Sequence, residues 1–222
     1  THYRYHKHKL ILFLSAMRSH ADDIRKDHEL VYHKLNEEDR DLNYEDKLKL
    51  TLTENPDIKE IVTYDIEDHF FENRIRQFCQ DEKIGLTFVD SPGFITTKES
   101  FRAYNQSAKK PFMQVFYKQQ RKELGILLES DGISPLHGNW SFDEDNRKKL
   151  PRDIQIPQQP IIHPTDHTQD VKELVDGLFP NHPGQTENFR LATTRNQVLS
   201  LLDEFLVERF EQFGPYEDAI SS

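Results

Sequence analysis

The chain has 222 residues, a formal net charge of −10 and a hydrophobic share of only 35%. This acidic balance excludes a protein that binds nucleic acid with its whole surface, so any DNA contact requires a local basic patch. The single cysteine, Cys79, excludes an internal disulfide and an iron–sulfur cluster ligated only by cysteines of this chain. No apolar run reaches the roughly 18 residues of a membrane span and no secretory signal is visible, so we expect a soluble, cytoplasmic protein.

The first predicted element is an apolar helix that follows the basic and aromatic residues 1–9. Its apolar side chains recur at helical spacing: Leu10, Phe13, Leu14, Met17, Ala21 and Ile24. A helix this apolar is usually covered on both sides, as between a sheet and a second domain.

Strand and helix patterns alternate through the next part of the chain. Short β-type runs occupy Leu30–Leu35, Glu60–Tyr64 and Leu86–Val89, and helical patterns occupy Tyr44–Thr53 and Asp68–Lys83. This alternation predicts an α/β domain in which the three strands are parallel neighbours and helices cover the sheet.

The segment from Phe112 to Leu150 connects two differently patterned halves of the chain. It begins as a helix that Gly125 is expected to close in the left-handed conformation. Trp140 and Phe142 follow on an extended stretch, and we expect both to be largely buried as anchors of this linker. The alternative for the two rings is a platform on which bases stack.

A basic run, Arg147, Lys148 and Lys149, ends that segment. These cations are candidates for contacts with DNA phosphates. The alternative is a solvated charge run that nearby acidic residues balance, namely Asp143, Glu144 and Asp145. The sequence leaves both interpretations open.

A proline-rich stretch, Pro151–Pro164, predicts a semi-rigid linker before two further helices. The first is expected to end before Pro180. The second begins at Thr194, which has capping-box spacing to Gln197, and is expected to end at Gly214-Pro215.

Few residues carry the signature of a chemical site. No phosphate-binding glycine loop occurs, so an ordinary dinucleotide or nucleoside triphosphate site is not supported. Asp65, Glu67 and Asp68 follow a predicted strand, where they could hold Mg²⁺, although a cap role for Asp68 is the favoured alternative. Cys79 is predicted to be a packed structural thiol.

Three stretches of the chain resemble one known family. FYKQQRKELGILLE with GNWSFDEDNRKKLP is similar to the deoxyribodipyrimidine photolyase-related proteins, the prokaryotic iron–sulfur branch of the photolyase/cryptochrome superfamily. Leu10–Arg25 resembles the first helix of that family's antenna domain, and Thr193–Ile220 resembles the start of its flavin-binding helical domain. A family pattern, W-[NS]-F-D-x-[ED]-N-R, is filled by Trp140, Ser141, Phe142, Asp143, Glu144, Asp145, Asn146 and Arg147.

The resemblance implies a domain plan. It places a Rossmann-like antenna-type domain at residues 1–128, an interdomain linker at 129–165, and the truncated start of a helical flavin-binding domain at 166–222. Two strands precede the first helix in the family, so we expect that the N-terminus is missing from this chain.

The resemblance also implies a function. In the family, a light-excited reduced flavin (FAD) in the helical domain splits UV photoproducts in damaged DNA, a carbon–carbon lyase reaction. That domain also holds a 4Fe-4S cluster, and a ribolumazine antenna pigment binds the α/β domain. We expect this fragment to be inactive, to bind no cofactor alone, and to need the C-terminal helical domain of its own chain. No catalytic, cofactor-binding or metal residue is assigned.

Two other classes stay open at this point. One is a cryptochrome-like blue-light photoreceptor, which shares the fold and the flavin but signals instead of repairing. The other is a non-photoactive α/β binding module that shares only the fold.

Overall fold

A computed structural model describes residues 3–155 and 157–219 of the chain. The described residues form two compact units, one containing the residues up to Leu42 and those from Asp143 onward, the other spanning Asn43–Phe142. In chain order the helices and strands are α1 (Lys7–Ile24), α2 (Tyr44–Glu54), β1 (Glu60–Tyr64), α3 (His69–Asp81), β2 (Gly85–Val89), α4 (Lys98–Ser107), α5 (Met113–Leu124), a 3₁₀ turn (Leu136–Gly138), α6 (Asp166–Leu178), α7 (Arg195–Glu208) and α8 (Phe210–Tyr216).

The unit spanning Asn43–Phe142 is built on a β–α–β arrangement. Strands β1 and β2 pair in parallel, in a register that runs from Glu60 opposite Gly85 to Tyr64 opposite Val89. Helix α3 connects them, and its apolar face forms the core of the unit with partly buried side chains of the strands and of α2: Ile75, Phe78, Cys79, Ile61, Leu86, Leu48 and Leu52. The predicted parallel pairing of these two strands is confirmed.

The predicted third strand, Leu30–Leu35, is wrong. Among the described residues the sheet has two strands, β1 and β2, and residues 30–35 have no regular secondary structure. Val31 in this run is exposed. A strand is stabilised by backbone hydrogen bonds to a neighbouring strand. Residues 30–35 are paired with neither β1 nor β2 and therefore lack this stabilisation.

The other unit is organised by the packing of α1 on α6. Both helices contribute to one core of buried residues: Leu10, Ile11, Val171, Val175 and Phe189. Because of this contact, the first helix groups with the C-terminal part of the chain and not with the sheet. The division of the chain into domains at residues 1–128, 129–165 and 166–222 stays a prediction. No described helix is both long enough and apolar enough to cross a membrane.

Local signals placed the ends of several helices correctly. Gly125 closes α5 with a φ of 66°, and Thr194 and Gln197 form the capping box of α7. The prediction that the last helix continues from Thr194 to Gly214-Pro215 is wrong. Helix α7 ends at Arg209, where φ is −129°, and Pro215 lies inside the short helix α8.

Candidate functional site

A cavity of about 310 Å³ opens where strands β1 and β2 end, within the unit spanning Asn43–Phe142. We call it the sheet-end cavity. It is lined by acidic, basic, hydroxyl-bearing and aromatic side chains: Asp65, Glu67, Asp90, Ser91, Phe94, Thr96, Thr97, Lys98, Phe101, Arg102 and Phe116. Ligands of open parallel sheets bind at this edge, beyond the carboxyl ends of the strands.

Chain direction explains why polar groups gather here. Both strands run toward the cavity, so the residues that follow them, among them Asp65 and Asp90, lie at its rim. Helix α4 then begins beside them, with the Thr97 hydroxyl accepting a hydrogen bond from the Ser100 N–H at 3.1 Å. A helix N-terminus carries partial positive charge, which stabilises negatively charged groups near the ends of the strands.

Lys98 is the centre of the charge arrangement. Its ammonium group donates to the Ile66 carbonyl at 3.0 Å and lies 3.6 Å from a Glu67 oxygen and 3.9 Å from an Asp65 oxygen. Arg102 adds a second cation one helical turn further along α4. The lining therefore offers hydrogen-bond acceptors and donors side by side.

Aromatic rings form the remaining wall. Phe116 is buried and meets Phe101 edge to face, with ring centroids 5.3 Å apart, whereas Phe94 and Phe101 expose much of their surface. Exposed ring faces can stack on a flat ligand, and neighbouring carboxylates can accept from its hydroxyl groups. This arrangement suits a planar, polyhydroxylated compound.

The predicted acidic trio divides in the structure. Asp65 and Glu67 line the sheet-end cavity, whereas Asp68 caps α3 by accepting from the Phe71 N–H at 2.8 Å. Within residues 3–155 and 157–219, no group of three or more His, Cys, Asp or Glu side chains could hold a metal ion. The magnesium hypothesis is therefore not supported, and the cap role of Asp68 is confirmed.

Trp140 and Phe142 have different surroundings. Trp140 is half-buried, its ring lies 4.9 Å from the Arg121 guanidinium, and its carbonyl accepts from Arg121 at 3.2 Å. Arg121 is only 6% exposed and also donates to the carbonyls of Ile126 and Leu127. Phe142 is 52% exposed, so the prediction that it is largely buried is not met.

The basic run lies in the other unit, against α8 and the residues that follow it. Arg147 is 74% exposed and pairs with Asp218 at 3.3 Å. The Lys148 N–H donates to the Pro215 carbonyl at 3.1 Å, which fixes the backbone of the run. The ion pair is weak at this exposure, so Arg147 keeps most of its hydrogen-bonding capacity toward solvent.

Cys79 is buried beside Ile75 and Phe78. Burial raises the pKa of its thiol, which disfavours the reactive thiolate. These surroundings fit the predicted structural role.

Sequence reasoning missed the aromatic wall, Lys98 and Arg102. Phe94 and Lys98 follow β2 closely, so the rule that ligands bind beyond strand ends could have pointed to them. No sequence signal brings Phe116 to the same place, because α5 reaches the cavity only through tertiary packing.

Comparison with known proteins adds three findings. Residues 1–191 match the family model described as "Deoxyribodipyrimidine photo-lyase-related protein". The chain is 27% identical over 217 residues to a "(6-4) photolyase" of Agrobacterium fabrum, covering 97% of this chain and 42% of the relative. It is also 37% identical over 93 residues to "Uncharacterized protein R852" of Acanthamoeba polyphaga mimivirus, covering 40% of this chain and 46% of that protein. The chain thus spans less than half the length of these relatives.

Proposed function

Because this chain belongs to the deoxyribodipyrimidine photolyase-related protein family, we propose that it is the N-terminal, antenna-side part of a flavoprotein that uses light to repair UV photoproducts in DNA. The observation that carries this proposal is the alignment with a (6-4) photolyase along 97% of the chain. The proposal includes a cytoplasmic location, where such an enzyme meets its DNA substrate.

The flavin and the iron–sulfur cluster belong, in this proposal, to residues outside the chain. A four-cysteine cluster does not fit here, because Cys79 is the only cysteine and lies in the packed core of α3. The chain also lacks a glycine loop for the flavin phosphates. This part alone is therefore proposed to be catalytically inactive.

The sheet-end cavity is the place we propose for the antenna pigment of the longer protein. A ribolumazine combines a flat ring with a polyhydroxyl chain, which matches the phenylalanine wall and the adjacent carboxylates. Phe94 and Phe101 would hold the ring, and Asp65 and Glu67 would accept from the hydroxyl groups. Such a pigment absorbs light and passes the excitation energy to the flavin.

The exposed surfaces of α7 and α8 suggest that a further domain packs on them. Large apolar side chains of α7 and α8 are exposed: Val198, Leu199, Leu202, Leu206, Val207, Phe210 and Phe213. Exposed apolar side chains in this number are usually covered in the complete protein. We assign that role to the C-terminal helical domain of the same polypeptide.

The visible absorption spectrum of the purified longer protein tests the proposal. Flavin and cluster bands are expected at one equivalent each, with an additional antenna band. A colourless protein would favour the non-photoactive binding module. A cryptochrome-like photoreceptor would share the flavin band, and only an assay of DNA repair separates it from a photolyase.

A further inference from the structure

A strongly basic segment of this acidic chain lies at α5 and the residues that lead into it. Residues 109–122 contain five basic residues and no acidic one, whereas the whole chain has a formal net charge of −10. Positive charge concentrated in one segment of a negatively charged protein favours a local contact with a polyanion. The five residues are Lys109, Lys110, Lys118, Arg121 and Lys122.

Three of these cations gather around one aromatic ring. The Trp140 ring centroid lies 4.9 Å from the Arg121 Cζ atom. The Nζ atoms of Lys118 and Lys122 lie 5.7 Å and 5.5 Å from the same centroid. We call Trp140 and these three cations the α5 basic surface. Lys118 and Lys122 are one helical turn apart, and like charges at this spacing repel each other, so a bound anion would stabilise them.

The carboxylates of the protein do not neutralise the two lysines. Among the described residues, neither Lys118 nor Lys122 forms an ion pair. Glu123 is the one acidic residue of α5, and amide groups hold it. Its two carboxylate oxygens accept from the side-chain amides of Gln119 at 2.8 Å and Gln120 at 2.7 Å. The two lysine charges therefore remain available to a partner.

Arg121 holds the surface in shape. It is only 6% exposed and donates to the carbonyls of Ile126 and Trp140 at 3.2 Å each. This guanidinium fixes the Trp140 segment beside α5 and is itself occupied, so the contacts with a partner fall to the two lysines. A surface that is already ordered loses less conformational entropy when it binds.

We propose that the α5 basic surface contacts the phosphate backbone of DNA through Lys118 and Lys122. Phosphate contacts of this kind carry no sequence information and position a protein on the duplex. The contact therefore needs no lesion and gives the chain an affinity for undamaged DNA. The inference rests on the proposed function, because DNA is the substrate of the proposed repair enzyme, and it adds a binding surface outside the basic run at Arg147.

Binding of the purified chain to an undamaged DNA duplex across a salt series tests the proposal. Lys118→Gln with Lys122→Gln is expected to lower the slope of log affinity against log salt by about two units and to weaken binding roughly tenfold or more near 0.1 M salt. Lys47→Gln with Lys49→Gln is the matched control. It removes the same charge from α2 of the same unit, where Lys49 pairs with Glu82 at 2.7 Å, and is expected to leave the slope unchanged. Glutamine is a good helix former, so both variants are expected to keep their helices.

An unchanged slope in the α5 variant, or no binding of the native chain at low salt, contradicts the proposal. Equal losses in the two variants also contradict it, because net charge and not the α5 basic surface would then decide the affinity. Displacement of the duplex by polyglutamate at equal charge concentration would identify an acidic protein segment as the partner instead. Repair of a photoproduct by the longer protein tests the proposed function separately, so repair that continues in the α5 variant with unchanged DNA affinity would overturn this inference alone.

Discussion

Gly184 occupies a position at which an added side chain would meet the His6 ring. Its φ is 86°, and a Cβ atom there would lie 2.1 Å from the His6 ring nitrogen Nε2. The His6 ring is held in place, because its Nδ1 accepts from the His8 N–H at 3.1 Å and caps α1.

Gly184→Ala is therefore expected to lower the free energy of unfolding by at least about 1–2 kcal/mol, the cost of the left-handed conformation alone. Chemical denaturation measures the change. Gly177→Ala is the matched control, since Gly177 lies in α6 with nothing within 4 Å of an added Cβ. That change is expected to stabilise by roughly 0.5–1 kcal/mol. Equal effects of the two substitutions would contradict the account.

Asp131 binds the turn that follows α5. Its carboxylate accepts from the Ser134 hydroxyl at 2.6 Å and from the N–H groups of Ile133 and Ser134 at 2.8 Å each. These hydrogen bonds, the Ser134 hydroxyl first, lower the pKa of Asp131 from 3.8 to about 2. A carboxyl group whose pKa is lowered by folding stabilises the fold when the pH is above its unfolded pKa. This contribution is lost as the pH falls from about 3.8 to about 2.

Titration of Asp131 by NMR is expected to give this low pKa in the native chain. Ser134→Ala is expected to raise it and to leave it below 3.8, because the two N–H donors remain. Titration of the native carboxyl at its ordinary value would show that the turn is not formed as described.

Arg147 is the residue at which DNA contact can be tested. In the proposed longer protein, Arg147→Ala is expected to weaken binding to damaged DNA and to lower the slope of log affinity against log salt by about one unit. Arg76→Ala, which removes an exposed arginine paired with Glu72 on α3, is expected to leave the slope unchanged. If Arg147→Ala binds with native affinity and slope, the pair with Asp218 has only a structural role.

At the scale of elements, the end of α5 depends on Trp140 and Arg121. Trp140→Ala is expected to expose the Arg121 guanidinium, to cost about 1–2 kcal/mol and to increase proteolysis between Asp131 and Pro164. Phe142→Ala is the control, because Phe142 is already 52% exposed. This substitution is expected to lower the melting temperature less than Trp140→Ala does. Thermal unfolding and limited proteolysis measure both effects. Equal losses in the two variants would show that Trp140 is not a specific anchor.

Elements that depend on local signals could be predicted, and those that depend on distant partners could not. Asp68 and Thr194 accept hydrogen bonds from backbone N–H groups three residues later, and Gly125 ends α5 in the left-handed conformation. These roles involve only near neighbours, so they are visible in the sequence. Leu30–Leu35 has strand composition, but a strand needs a neighbour that sequence does not supply.

At the scale of the whole molecule, two of the residues that line the sheet-end cavity, Asp65 and Glu67, could be inferred from the sequence. Asp65 and Glu67 follow a strand directly, and the carboxyl ends of parallel strands meet at one edge. The ring of Phe116 arrives from another helix, so its place in the cavity depends on packing that no spacing reveals.

The central claim, that this chain is part of a light-driven DNA repair enzyme, is tested most directly by repair itself. The longer protein, purified with its flavin reduced, is mixed with an oligonucleotide that carries a defined UV photoproduct and is divided between blue light and darkness. We predict that the lesion disappears in the light, over many turnovers, and persists in the dark. A lesion that persists in the light although the flavin is bound and reduced would contradict the claim.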